Sequence, residues 1–272
     1  MTAGLHVLGA SERGLTVRAA DGAVSALGLE GAFGWRLSGE RRCVGQWRDG
    51  AHVPCPTEAV VSEESTCLPC SGLEAPDCVY EPRCQNAPET CRCPFGPVPH
   101  VVYAAFYGIL PKVGLTQAWR VGTRLREQGA DAYFVVADRP DRATARLLER
   151  QVAFLYGIPE SRAPREVLPQ LVRPVAWAEV EARAAALRAR LAERFGPSGA
   201  TVRIEDHPVR QPLPSQPRRV QPFGAHAGTW LGCKGQNLFY QEAPRPDRLM
   251  VGAAPVAALK RSDLPGRTLT HA

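Results

Sequence analysis

The chain has 272 residues, a net charge of +6 and 44% apolar residues, enough to bury a core and too apolar for wholesale disorder. No apolar run approaches the roughly 18 residues that would span a bilayer. Met1–Ala10 has neither a basic start nor a long apolar stretch, so a cytoplasmic protein without a secretory signal is expected.

Residues 1–97 carry 8 basic and 12 acidic side chains and the remainder 25 and 15. A nucleic acid or other polyanion would therefore meet the second part. Only Lys112, Lys234 and Lys260 are lysines, and arginine forks suit phosphate.

Short apolar alternations broken by glycine run through residues 1–40, at Leu5–Leu8, Leu15–Arg18 and Ala23–Leu27, and predict a β-rich region. The segment 41–97 holds eight of the nine cysteines: Cys43, Cys55, Cys67, Cys70, Cys78, Cys84, Cys91 and Cys93. In a reducing compartment such clustering indicates metal rather than disulfides. Zinc takes four soft ligands in a tetrahedron, so eight thiolates make two sets. Cys67-Leu-Pro-Cys70 is a CxxC pair that turns two thiolates to one ion, and Cys43 and Cys55 complete the first set. Cys78, Cys84, Cys91 and Cys93 form the second, with His52 and His100 as substitute ligands. With every position filled by protein, such zinc is structural. An iron–sulfur cluster on the same thiolates is the alternative. Cys233 stands apart and reads as a small buried residue.

Residues 98–160 show the clearest pattern. Val101–Tyr107 reads as a strand, Gly108–Pro111 as a turn and Lys112–Thr116 as a second strand. Gln117–Gln128 reads as a helix anchored by Trp119 and Leu125 and ended by Gly129. A third strand covers Tyr133–Val136. Asp138 then caps a helix with Pro140 in its first turn, running to Tyr156 with Leu148, Val152 and Leu155 on one face and Gly157 at its end. The order is β-hairpin, α, β, α.

In residues 161–245, Trp177, Val180, Ala184, Leu187, Leu191 and Phe195 recur at helical spacing. Thr229–Cys233 and Asn237–Tyr240 read as a β-hairpin turning at Lys234-Gly235, where a lysine beside glycine could meet a phosphate. Residues 246–272 read as a tail with few order signals.

The segment 100–158 resembles a GIY-YIG nuclease module in this element order. Val101-Val102-Tyr103 stands at the first triplet, Lys112-Val113-Gly114 with Thr116 at the second, Arg124 on the first helix and Glu149 on the second. The resemblance implies that Tyr103 helps activate water, Arg124 binds phosphate and Glu149 holds one Mg or Mn ion. Lys112, Thr116 and Arg120 would add nucleic-acid contacts, as would Lys234; the resemblance does not distinguish DNA from RNA. The sequence departs from that family where Lys112 replaces a tyrosine and Gln128 a histidine. The whole chain also resembles a prokaryotic family, domain-of-unknown-function family 2797. That likeness rests on Cys43-Val-Gly45, Pro54-Cys55, the CxxC pair and the stretches 102–108, 112–116, 126–133 and 232–240.

The expected fold is α+β: a zinc-binding cysteine segment, a GIY-YIG-like β-hairpin-α-β-α module, and flanking N- and C-terminal β regions. The expected function is divalent-metal-dependent phosphodiester cleavage, or nucleic-acid binding without catalysis on the same fold.

Overall fold

The computed structural model describes residues 4–71, 98–205, 207–209, 213, 215–244 and 254–271. The chain begins with β1 (Leu5–Ala10), β2 (Gly14–Arg18), β3 (Val24–Gly28) and β4 (Ala32–Leu37). The small hairpin β5 (Gln46–Arg48) and β6 (Ala51–Val53) and a short helix α1 (Leu68–Ser71) follow. Next come β7 (His100–Tyr107), β8 (Leu110–Gln117), α2 (Val121–Gln128), β9 (Ala132–Arg139) and α3 (Arg142–Tyr156). After α4 (Pro164–Leu171), α5 (Trp177–Ala192) and β10 (Ser198–Arg203), the chain ends in β11 (Pro217–Arg219), β12 (Gly224–Lys234), β13 (Asn237–Glu242), β14 (Val256–Lys260) and β15 (Thr268–His271).

These elements form two compact units, Met1–Glu74 with Pro208–Ala272, and Ala75–His207. The first holds a nine-stranded sheet in the order β11-β14-β13-β12-β4-β15-β1-β2-β3. All its pairings are antiparallel except β11 with β14. The two flanking β regions expected from the sequence thus belong to one sheet, with β4 between β12 and β15. Its core gathers Val7, Leu15, Val17, Trp35, Leu37, Trp230, Tyr240, Leu259 and Leu269. Residues 246–272 are not simply a tail, because β14 and β15 lie within the sheet.

The second unit is a four-stranded sheet, β10-β9-β7-β8. Every residue of β7 is buried, as a central strand covered on both faces requires. One face presents Val102, Ala104, Phe106, Phe134 and Val136 to Leu148 and Val152 of α3 and to Val180, Ala184, Leu187 and Leu191 of α5. Because side chains alternate along a strand, the other face carries Tyr103, Ala105 and Tyr107. The register Tyr103↔Gly114 and Ala105↔Lys112 sets Lys112, Gly114 and Thr116 beside them. The expected order of β-hairpin, α, β and α is present. The module continues past residue 160, since α5 and β10 complete its core and sheet.

Three local readings need correction. Trp119 is not an anchor: it lies on a 3-10 turn, Ala118–Arg120, ahead of α2 and is 77% exposed. Asp138 does not cap α3, because β9 runs on and pairs it with Val101. Asp141 is the cap, accepting from Thr144 N at 2.8 Å. Leu155, in the last turn of α3, is 45% exposed and leaves the apolar face to Leu148 and Val152. Gly129 and Gly157 end their helices in the left-handed conformation, as expected.

Candidate functional site

Among the described residues, two clusters of polar side chains stand out, one in each unit. In the first unit, the Sγ atoms of Cys43, Cys55, Cys67 and Cys70 all lie within 4.8 Å of one another. A zinc tetrahedron with bonds of about 2.3 Å has edges of about 3.8 Å, and Cys55 and Cys67 stand 3.8 Å apart. The local turns explain the convergence. Gly45 has φ +78, and a Cβ there would lie 2.2 Å from Val53 O, so only glycine fits at the open base of the β5–β6 hairpin, between Cys43 and Cys55. Its N–H donates to Cys43 Sγ at 3.4 Å, and Cys67 N donates to the same sulfur at 3.1 Å. Such N–H donors stabilise thiolates and orient them for a metal.

Burial pushes the Cys55 thiol up, but the Thr57 hydroxyl and the backbone N–H groups of Ala59 and Thr57 outweigh it and bring it to about 6. Cys70 is pushed up, chiefly by burial. The four-thiol set fits zinc by distance and by donor chemistry. His52 is not needed as a substitute: its Nε2 meets Val44 O at 2.6 Å. His100 lies in the other unit, its Nδ1 on Val98 O at 2.7 Å. Cys78, Cys84, Cys91 and Cys93 lie outside the described residues. Cys233 is fully buried, as expected.

In the second unit the other face of the sheet, which carries Tyr103, Tyr107 and Lys112, meets Gln128 at the end of α2. Tyr103 is 1% exposed. Burial pushes its phenol up to about 12; the Arg124 charge and a hydrogen bond with Gln128 oppose this, and the Glu149 charge adds to it. Lys112 is lowered by burial and by Arg124, and raised by Glu149. Arg124 and Glu149 thus both act on Tyr103 and on Lys112. Gln128 Oε1 joins Tyr107 to Lys112, accepting from Tyr107 OH at 3.2 Å and from Lys112 Nζ at 3.4 Å. Burial also raises the Tyr107 phenol.

Glu149 is 4% exposed. Burial raises its carboxyl, while Arg146, hydrogen-bonded to it, pulls it down. The same Arg146 NH1 reaches Glu160 Oε2 at 3.2 Å. Arg124 stays half exposed, with NH1 3.9 Å from Glu127; Arg120 NH2 is 3.5 Å from that carboxylate. Thr116 is half-buried on the same face of β8.

Of the expected residues, Arg124 and Glu149 both act on Tyr103 and Lys112; Thr116 shares the Lys112 face of β8 and Arg120 shares Glu127 with Arg124. Lys234 is not among them. It belongs to the other unit and is 1% exposed, so its ammonium is withheld from any polyanion. Tyr107, Gln128, Arg146 and Glu160 join these residues although none is among the expected site residues. The strand period places Tyr107 on the face of Tyr103, and the spacing of three places Arg146 beside Glu149; Gln128 and Glu160 join only through the fold.

Among the described residues, no helix is long and apolar enough to cross a membrane. No curated protein and no solved structure matches the chain. Residues 32–244 match the family described as a protein of unknown function, DUF2797. That span takes in the four-cysteine set and every element from β7 to β13, and the chain belongs to this family.

Proposed function

We propose that this is a nucleic-acid-acting protein with structural zinc on Cys43, Cys55, Cys67 and Cys70 and a GIY-YIG-like phosphodiesterase site in residues 75–207. One observation carries the reading: on the sheet face that carries Tyr103, Gln128 Oε1 accepts from both Tyr107 and Lys112, and the charges of Arg124 and Glu149, remote in sequence, both act on Tyr103 and Lys112. Two cations beside a buried carboxylate and a phenol suit a phosphodiester. Arg124 and Lys112 bind the phosphate and oppose the charge that grows on it during cleavage. Tyr103, held near 12, keeps its proton at neutral pH and orients water or phosphate by a hydrogen bond. Glu149 and Glu160 supply the hard oxygen donors that Mg or Mn prefers. Bound there, such an ion would supply positive charge beside the phosphate and a polarised water.

The test is cleavage of labelled single-stranded DNA, branched DNA and RNA in Mg or Mn. Cleavage that falls at least a hundredfold in Arg124→Ala and Glu149→Gln is expected. No cleavage of any substrate by the wild-type protein would overturn the nuclease reading.

A second reading, nucleic-acid binding without catalysis, is favoured by the Arg146 guanidinium, a cation that already holds Glu149. It predicts binding that weakens steeply with salt and no strand scission. Binding insensitive to salt would count against it.

A further inference from the structure

The proposed site has an unusual neighbour. Trp119 is 77% exposed, although burying a tryptophan is among the larger gains open to a side chain. It is not loosely attached: the 3-10 turn Ala118–Arg120 holds it between β8 and α2, and Ala118 N donates to Pro99 O at 2.9 Å. The Arg120 guanidinium lies 5.7 Å from the centre of its ring, within cation–π range. Arg120 and Arg124 share the Glu127 carboxylate, and Arg124 acts on Tyr103 and Lys112. The open indole, Arg120 and Arg124 thus lie in sequence around Glu127, and the Arg124 charge acts on the proposed phosphate site. Glu127 offsets part of the charge, but Arg120, Arg124 and Lys112 leave this set of groups net positive.

We infer that Trp119 is a stacking platform for an unpaired base of a single-stranded nucleic acid whose backbone runs along Arg120 and Arg124. Stacking needs a free base face. A duplex base is stacked on both sides, whereas an unpaired base can lie on an indole, and arginines beside it neutralise the adjacent phosphates. The substrate class is therefore single-stranded, or a strand with an extruded base. This rests on the reading of the second unit as a nucleic-acid site.

Fluorescence anisotropy of a labelled twenty-nucleotide single strand and its duplex, at fixed salt with no added Mg or Mn, separates the two ideas. Trp119→Ala is expected to weaken single-strand binding by about tenfold or more and duplex binding by less than about twofold, while Trp119→Phe stays within about threefold of wild type. Because Trp119 is exposed, the variant should keep its far-ultraviolet circular dichroism and melting temperature. If the wild type binds the single strand and Trp119→Ala binds it equally well, the platform is wrong and the phosphate reading survives. If both ligands weaken equally, the preference for an unpaired base is wrong. If the wild type binds neither, the nucleic-acid reading fails and this inference fails with it.

Discussion

The Tyr103 ring lies directly over Gly114 on the neighbouring strand: a Cβ at residue 114 would stand 2.6 Å from its hydroxyl oxygen and 2.7 Å from Cζ. The two residues are cross-strand partners, and the missing side chain is the space the phenol occupies. Gly114→Ala must displace the ring or part the strands. It is expected to cost about 1–3 kcal/mol, the usual penalty of overpacking, read by urea denaturation. The displaced phenol should also lose its hydrogen bond with Gln128, lowering any activity of the site further than the stability loss accounts for.

Zinc on the four-cysteine set should be stoichiometric. Metal analysis of Cys67→Ser is expected to find one zinc per chain fewer than wild type, whatever the residues beyond 71 contribute. The variant should melt lower because binding free energy of such an ion is folding free energy. Equal zinc in variant and wild type would remove the assignment.

Glu149 and Arg146 should depend on each other. Glu149→Ala leaves the Arg146 guanidinium with Glu160, so the loss should fall short of the full cost of an orphaned buried charge, at about 2–3 kcal/mol. Adding Arg146→Met should recover part of that loss. A double-mutant cycle by chemical denaturation measures the coupling; a coupling near zero would show that the pair holds nothing in place.

Stability should fall as pH drops below about 6.5. His6, His100 and His226 are all lowered from the ordinary 6.5, chiefly by burial. The unfolded chain takes up protons as pH falls through 6.5 while the folded chain resists, so protons favour unfolding until pH reaches the folded values. His226, whose Nδ1 meets the Tyr240 hydroxyl at 2.9 Å, should be a main contributor in the first unit. Melting temperatures measured from pH 7.5 to 5.5 should decline, and decline less in His226→Gln. Glu149, raised from 4.5 mainly by burial, acts with the opposite sign at lower pH, so the upper part of this range isolates the histidines.

The local elements are legible in the order of the residues. Helical spacing located α5, glycines marked the ends of α2 and α3, and the alternation of strand and helix between residues 100 and 156 set the order of the second unit. The first cysteine set was also legible, because a CxxC pair and two turn-borne cysteines constrain where thiols can point. What periodicity cannot say is which element a face will meet. Only the tertiary structure joined the chain's two ends, with Leu269 paired to both Leu5 and Leu37, because strand pairing is a hydrogen-bonding choice between distant segments. It alone buried Lys234, left Trp119 in solvent and brought Gln128 to Tyr107 and Lys112. Each of these outcomes depends on what packs against a residue rather than on its neighbours in the chain.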